Sequence, residues 1–192
     1  IPQTTADGML IAPFNDANYL RSLLAEYDGQ IAGLIVEPLQ RVIPPNPDSL
    51  QAVRQDCDRY GIVLIFDEIV TGFRLAYGGA QELYAIAPDI CTLGKVIGGD
   101  FPLAAIIGRK DIMAHFDKDS VGEQGRLMQL GTLSGNPIAA EAELKSLEIL
   151  RRIGAYAMLR QNGETVMSHV HDTLGPTRYP IIRLLGDLTL LK

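Results

Sequence analysis

Cysteine is scarce in this chain: among 192 residues only Cys57 and Cys91 carry thiols. Two thiols cannot build a disulfide framework at this length. Both sit in apolar surroundings, so buried free thiols in a reducing, cytoplasmic compartment are expected. No apolar run approaches the roughly 20 residues of a membrane helix, which removes a membrane from the expected partners. Basic charge is not in excess either. Lys and Arg total 17 against 23 Asp and Glu, a net charge of -6. That balance argues against a nucleic-acid or anionic-membrane surface as the main partner. Neither a Walker A loop nor a Rossmann glycine fingerprint is present, which disfavours nucleotide binding. No low-complexity tract and no internal repeat interrupts the chain. Ile1-Pro2-Gln3 lacks a basic stretch, a signal core and an initiator Met, so the chain is expected to begin inside a longer protein.

What the chain does have is the balance of an ordinary cored domain, with 47% hydrophobic and 21% charged residues. Helical and strand-like segments alternate, the pattern of an α/β fold with a mostly parallel sheet. A helix is expected after Asn15-Asp16, with Leu20, Leu23, Leu24 and Tyr27 on one face and Gly29 as its stop. A strand over residues 33–36 ends at Glu37-Pro38. The next helix has Asp48 as its expected N-cap and Gln51 at the capping-box position. Its stripe is Leu50, Val53, Cys57 and Tyr60, closed by Gly61. Residues 62–66 form a continuous β-branched and aromatic run that suits a strand covered on both faces. It leads directly into Asp67-Glu68. Shorter strands are expected over 89–93 and 104–107. Helices should follow Asn136, with Pro137 in the first position, and again over 156–174. Residues 181–191 read as a further strand.

Three successive strand ends carry charge: Glu37, Asp67 and Lys95. In open α/β sheets ligands bind beyond the carboxyl ends of the strands, so parallel neighbours would turn all three toward one crevice. Any strand emerging into water can end in charge. Opposite charges and flanking glycines at three ends favour the crevice. Lys95 lies in Leu93-Gly94-Lys95-Val96-Ile97-Gly98-Gly99, bracketed by apolar residues and glycines. Such a setting is expected to desolvate the ammonium and lower its pKa, leaving an amine able to attack a carbonyl.

Four blocks carry a resemblance to a known family. Phe66-Asp67-Glu68-Ile69-Val70-Thr71-Gly72-Phe73-Arg74 resembles the Asp-Glu-x-x-Thr-Gly-Phe signature of class III pyridoxal-phosphate-dependent aminotransferases. The block around Lys95 resembles their cofactor-lysine segment, and Glu37-Pro38 a strand end that precedes both. Gly131-Thr132-Leu133-Ser134-Gly135-Asn136-Pro137 resembles a downstream segment whose Thr reaches the cofactor phosphate of a neighbouring subunit. The blocks occur in the family's order, with 28 positions from Asp67 to Lys95. Val70, where many ω-aminotransferases carry Gln, together with Gly78-Gly79-Ala80-Gln81 and Val42-Ile43-Pro44-Pro45, is similar to the glutamate-1-semialdehyde 2,1-aminomutase branch.

The resemblance implies a type I pyridoxal-phosphate fold, pyridoxal 5'-phosphate as cofactor, and a homodimer acting on an amino acid or amino-aldehyde. Lys95 would hold the cofactor as a Schiff base and shuttle protons. Asp67 would pair with the ring nitrogen, which keeps the ring an electron sink. Val70 would pack near the ring, and Thr132 would bind phosphate across the interface. Glu37 and Glu68 are expected either to pair structurally near the crevice or to take part in catalysis, and Arg74 either to form a surface salt bridge or to serve an acidic substrate. Residues 1–153 would be the C-terminal part of the large domain, and 154–192 a linking helix and the start of a small domain. Asp100 stands where relatives have a third glycine; it either places charge near the lysine loop or caps a turn. The family's upstream glycine-rich phosphate loop and ring-stacking aromatic are not found, so the chain is expected to be an internal fragment that binds cofactor poorly alone. By their residues alone, the blocks also admit a cofactor-free Schiff-base lyase of the aldolase kind, or a dimerisation scaffold.

Overall fold

The computed structural model describes residues 2–174. Four strands form one sheet in the order β1 (Gly33–Val36), β2 (Val63–Glu68), β3 (Ile90–Leu93), β4 (Ala105–Gly108). The first three run parallel and β4 is antiparallel to β3. The sheet is therefore mostly parallel, as the alternating pattern predicts. The chain expected to form a strand over 181–191 lies outside the described residues.

Helices α1 (Gln3–Ala6), α2 (Ala17–Glu26), α3 (Ser49–Tyr60) and α4 (Gly79–Tyr84) interleave with the first strands. After β4 come α5 (Lys110–Met113), α6 (Lys118–Gly125), α7 (Pro137–Leu150) and α8 (Ala155–Leu174). The caps explain several boundaries. Asp16 accepts from the Tyr19 N–H at 2.9 Å to start α2, and Asn136 accepts from Ile138 and Ala139 to start α7 with Pro137 first. Gly61, at φ 67°, closes α3 in the left-handed conformation that glycine adopts without steric cost. Asp48 behaves differently from expectation. It precedes α3, but at φ 63° its side chain makes no capping bond, because an N-cap side chain reaches the N2 or N3 amide from an extended backbone.

Register sorts the side chains onto two faces. Leu34 pairs with Leu64, Val36 with Phe66, Phe66 with Cys91, and Glu68 with Leu93. Those residues share one face, because paired residues in a ladder point the same way. α2 and α3 cover it: Leu20, Leu24, Leu50 and Cys57 pack with Leu64 and Phe66, the last two fully buried. Cys91, Leu93 and Ile97 extend the core past β3. Both thiols are free and buried, as expected from composition. The other face carries Ile35, Val63, Ile65, Ile90 and Ile106, and the described residues leave much of it open; Ile35 is 62% and Ile106 51% exposed.

The N-terminal ends of β2 and β3 are bound by Asp89. Its Oδ2 accepts from the Leu64 N–H at 2.8 Å and from Arg54 at 2.9 Å, and Oδ1 accepts from Arg109 at 2.9 Å. Among the described residues no helix is long and apolar enough to cross a membrane.

Candidate cofactor site

Because β1, β2 and β3 are parallel, their carboxyl ends lie along one edge. Glu37, Asp67 and the segment holding Lys95 all emerge there. This is the crevice side of an open α/β sheet. A cleft of about 910 Å³ between residues 7–17, α2 and β1 reaches this edge at Glu37 and Asp67, while Lys95, Val70 and Thr132 lie outside it.

Asp67 sits within β2 on the open face, paired in register with Thr92 of β3. Its Oδ1 accepts from the Ile69 N–H at 3.1 Å and from the Thr92 hydroxyl at 3.3 Å. Among the described residues nothing donates to Oδ2. One oxygen is anchored and the other is open, which suits a carboxylate that must meet a cationic group. The Ile69 bond is a local turn bond made by one oxygen only, so turn capping and ligand contact are compatible at Asp67.

Lys95 begins a single 3-10 turn, Lys95–Gly98, behind Gly94. Its backbone is left-handed at φ 49°, a conformation that costs an ordinary residue about 1–2 kcal/mol. A glycine would relieve that strain, so the side chain has to be there for another reason. The expected desolvation is not found. Lys95 is exposed and forms no hydrogen bond or ion pair among the described residues. Its apolar sequence neighbours turn away: Leu93 and Ile97 enter the core and leave the amine at the edge.

Glu68 occupies the opposite face of β2 and is fully buried. Its carboxylate accepts from the Ala80 N–H at 2.6 Å, the Thr71 hydroxyl at 3.0 Å and the Gln81 side-chain amide at 3.0 Å. Weaker approaches come from the Gln81 N–H at 3.4 Å and the Cys91 thiol at 3.9 Å. These bonds cap α4, whose own N-cap Gly78 has no side chain to do so. Gly79, at φ 69°, must be glycine, since a Cβ there would collide with the Glu68 carboxylate. Thus Glu68 ties the signature loop back onto the sheet, the structural one of the two roles open to it.

The remaining residues divide. Val70 is half-buried in the turn after β2. Its carbonyl accepts from the Arg74 Nε at 3.0 Å, so Arg74 makes a backbone contact where a salt bridge was expected. Glu37 accepts from the Arg41 N–H at 3.3 Å, another local turn bond. Thr132 lies in an exposed turn, with no hydrogen bond to the Asp67 and Lys95 region among the described residues. Asp100 has φ 71° and caps nothing among the described residues, which explains why a glycine suits that position. α7 packs on the turn after Lys95; a Cβ at Gly99 would meet Ser146 and Ala142. The role of Thr92 and the cap on α4 were not foreseen from sequence. Only the alternation of polar Thr92 within an apolar strand hints at the first.

A primary amine without a partner among the described residues, in the turn that leaves β3, and a carboxylate with one open oxygen at the end of the adjacent parallel β2 form a donor set that fits pyridoxal phosphate. Comparison with known proteins agrees. Residues 6–187 match the model of the class-III aminotransferase family. The chain is 47% identical over 164 residues to a glutamate-1-semialdehyde 2,1-aminomutase of Pelotomaculum thermopropionicum, covering 84% of this chain and 37% of that protein. An omega-transaminase from Sphaerobacter thermophilus superposes with a TM-score of 0.83 at 32% identity, covering 92% of this chain and 40% of that one. A transaminase with PLP bound gives 0.80 at 29% identity, with 91% and 41% covered. The chain therefore spans about two-fifths of the length of these relatives. It belongs to the class-III aminotransferase family.

Proposed function

We propose that the intact protein transfers an amino group with pyridoxal phosphate, and that Lys95 and Asp67 carry the work done by this chain. The observation that supports this most is that an amine with no partner among the described residues and a half-open carboxylate emerge at the same sheet edge. When bound, the cofactor supplies the electron sink that stabilises negative charge at the substrate carbon. Lys95 Nζ supplies the amine that attaches the cofactor and the base that moves a proton at that carbon. Asp67 Oδ2 would hold the proton on the ring nitrogen. Val70 would contact the ring as an apolar wall, and Thr132 would donate to the phosphate of a neighbouring subunit, which makes the working unit a homodimer.

The substrate class is an amino acid or amino-aldehyde. Greater identity to an aminomutase, 47% against 32% for the omega-transaminase, favours movement of the amino group within one molecule. The Gly154 break at φ 84° between α7 and α8 supports the division proposed at residues 153 and 154. Two buried free thiols fit a cytoplasmic setting.

The test is visible absorption of the intact protein, with and without borohydride, beside Lys95→Ala. Wild type should show a yellow band, and borohydride should fix the cofactor to the chain. Lys95→Ala should lose that covalent adduct and about 10²–10⁴-fold or more of the activity, the scale of removing an acid–base group. A reducible band that survives the substitution refutes the assignment. Turnover of glutamate 1-semialdehyde without an amino donor would support the mutase; a requirement for donor and acceptor would support the transaminase.

A further inference from the structure

We infer that Thr92 is a positioning residue that aims Asp67 at the cofactor ring, an inference that rests on the pyridoxal-phosphate reading above. The open face of the sheet is apolar along β2 and β3, with Val63, Ile65 and Ile90, and Ile106 follows on β4. Two polar side chains interrupt it, Asp67 and Thr92, and the ladder pairs them with each other. Valine has the shape of threonine and is equally suited to a strand. The hydroxyl is therefore superfluous unless it has a polar neighbour, and that neighbour is Asp67 Oδ1 at 3.3 Å.

The consequence is orientation. A carboxylate at the end of a strand rotates broadly about its last torsion. The Ile69 N–H and the Thr92 hydroxyl both donate to Oδ1, from the following turn and from the neighbouring strand. Two donors from different directions on one oxygen fix the carboxylate plane and leave Oδ2 presented at the edge. Threonine is stiff at χ1, so its hydroxyl holds this place at little entropic cost. Thr92 also stands three residues before Lys95 on the same strand exit. It thereby ties the carboxylate rigidly to the segment that carries the amine.

The experiment compares intact wild type with Thr92→Val and Thr92→Ser. One readout is the affinity for pyridoxal phosphate, followed by the visible band. The other is the ¹⁵N chemical shift of the ring nitrogen of labelled cofactor, which reports its protonation directly. Thr92→Val should bind about tenfold more weakly, the effect of one hydrogen bond to a charged group. Its ring-nitrogen signal should move toward the neutral position, and Thr92→Ser should restore both values. A Thr92→Val protein with affinity within twofold of wild type and an unmoved nitrogen signal overturns the role. So does one with a lowered melting temperature alone, which would mark the hydroxyl as merely structural. Wild type that binds no pyridoxal phosphate would instead overturn the cofactor reading itself.

Discussion

Replacing Glu68 by leucine keeps most of the side-chain volume and removes every acceptor from a buried cradle. The Ala80 N–H and the Thr71 hydroxyl lose their partner, and the Gln81 N–H loses a weak one. An unsatisfied buried donor costs about 1–3 kcal/mol. Two strong donors would thus cost several kcal/mol, offset partly because a carboxylate need no longer be desolvated. The net expectation is a loss of about 3 kcal/mol. Glu68→Gln behaves otherwise. Its carbonyl can take the place of Oε2 and keep both strong donors, while its amide meets Gln81, whose own amide can flip to accept. That leaves the 3.4 Å Gln81 N–H contact and the loss of charge, about 1 kcal/mol. For a domain of this size 1 kcal/mol moves the melting temperature by about 2–4 °C. Thermal melts of the intact proteins by circular dichroism should therefore place Glu68→Leu about 6–12 °C below wild type and Glu68→Gln about 2–4 °C below. Equal losses for the two variants, or a leucine variant within 2 °C of wild type, would refute the capping role.

Further outcomes follow from the Asp89 cluster and from the two thiols. Asp89→Ala should cost about 3 kcal/mol in urea unfolding, because the Leu64 N–H loses its partner and the mostly buried Arg54 keeps only Asp58 of its two carboxylates. Arg109→Ala should leave the urea midpoint nearly unmoved, since Arg109 is exposed and its pair is screened; equal losses would sink this division. Burial by itself would raise the Asp89 carboxyl, but hydrogen bonds from Leu64, Arg54 and Arg109 together outweigh it and hold the group below the usual carboxylate range. A depressed acid stabilises the fold above its unfolded pKa, so this contribution should vanish as pH falls through the folded value, and the acid limb of the stability curve should flatten in Asp89→Ala. Burial pushes the thiols of Cys57 and Cys91 up to about 11 and about 12. Raised acids stabilise below the unfolded value and less above it, so stability should decline from about pH 9 upward. Neither thiol should react with a thiol reagent at pH 8 until denaturant is added; rapid labelling of the native protein would contradict their burial.

The amino-acid sequence by itself determined what depends on near neighbours along the chain. Residues 63–66 form a strand because their β-branched and aromatic run is unbroken, but the described residues cover one of its faces rather than both; Asp16, Asn136 and Gly61 bound helices because cap chemistry is local. The order of the blocks around Asp67, Lys95 and Thr132 was enough to identify the family. Tertiary structure decided the rest. Asp48 looks like a cap, but the left-handed backbone imposed on it takes its side chain away from the helix amides. α4 is a short helix whose N–H groups are met by Glu68, a residue eleven positions upstream of its first turn. Sequence spacing does not reveal that match. Lys95 is apolar by context and exposed in space, because burial depends on what lies across the fold rather than beside the residue. The bond from Thr92 to Asp67 exists only in one register: a shift of one residue in β3 would carry Thr92 to the other face. Local chemistry thus named the lysine and the aspartate. Only the pairing of two strands, 25 residues apart in sequence, showed how the aspartate is held.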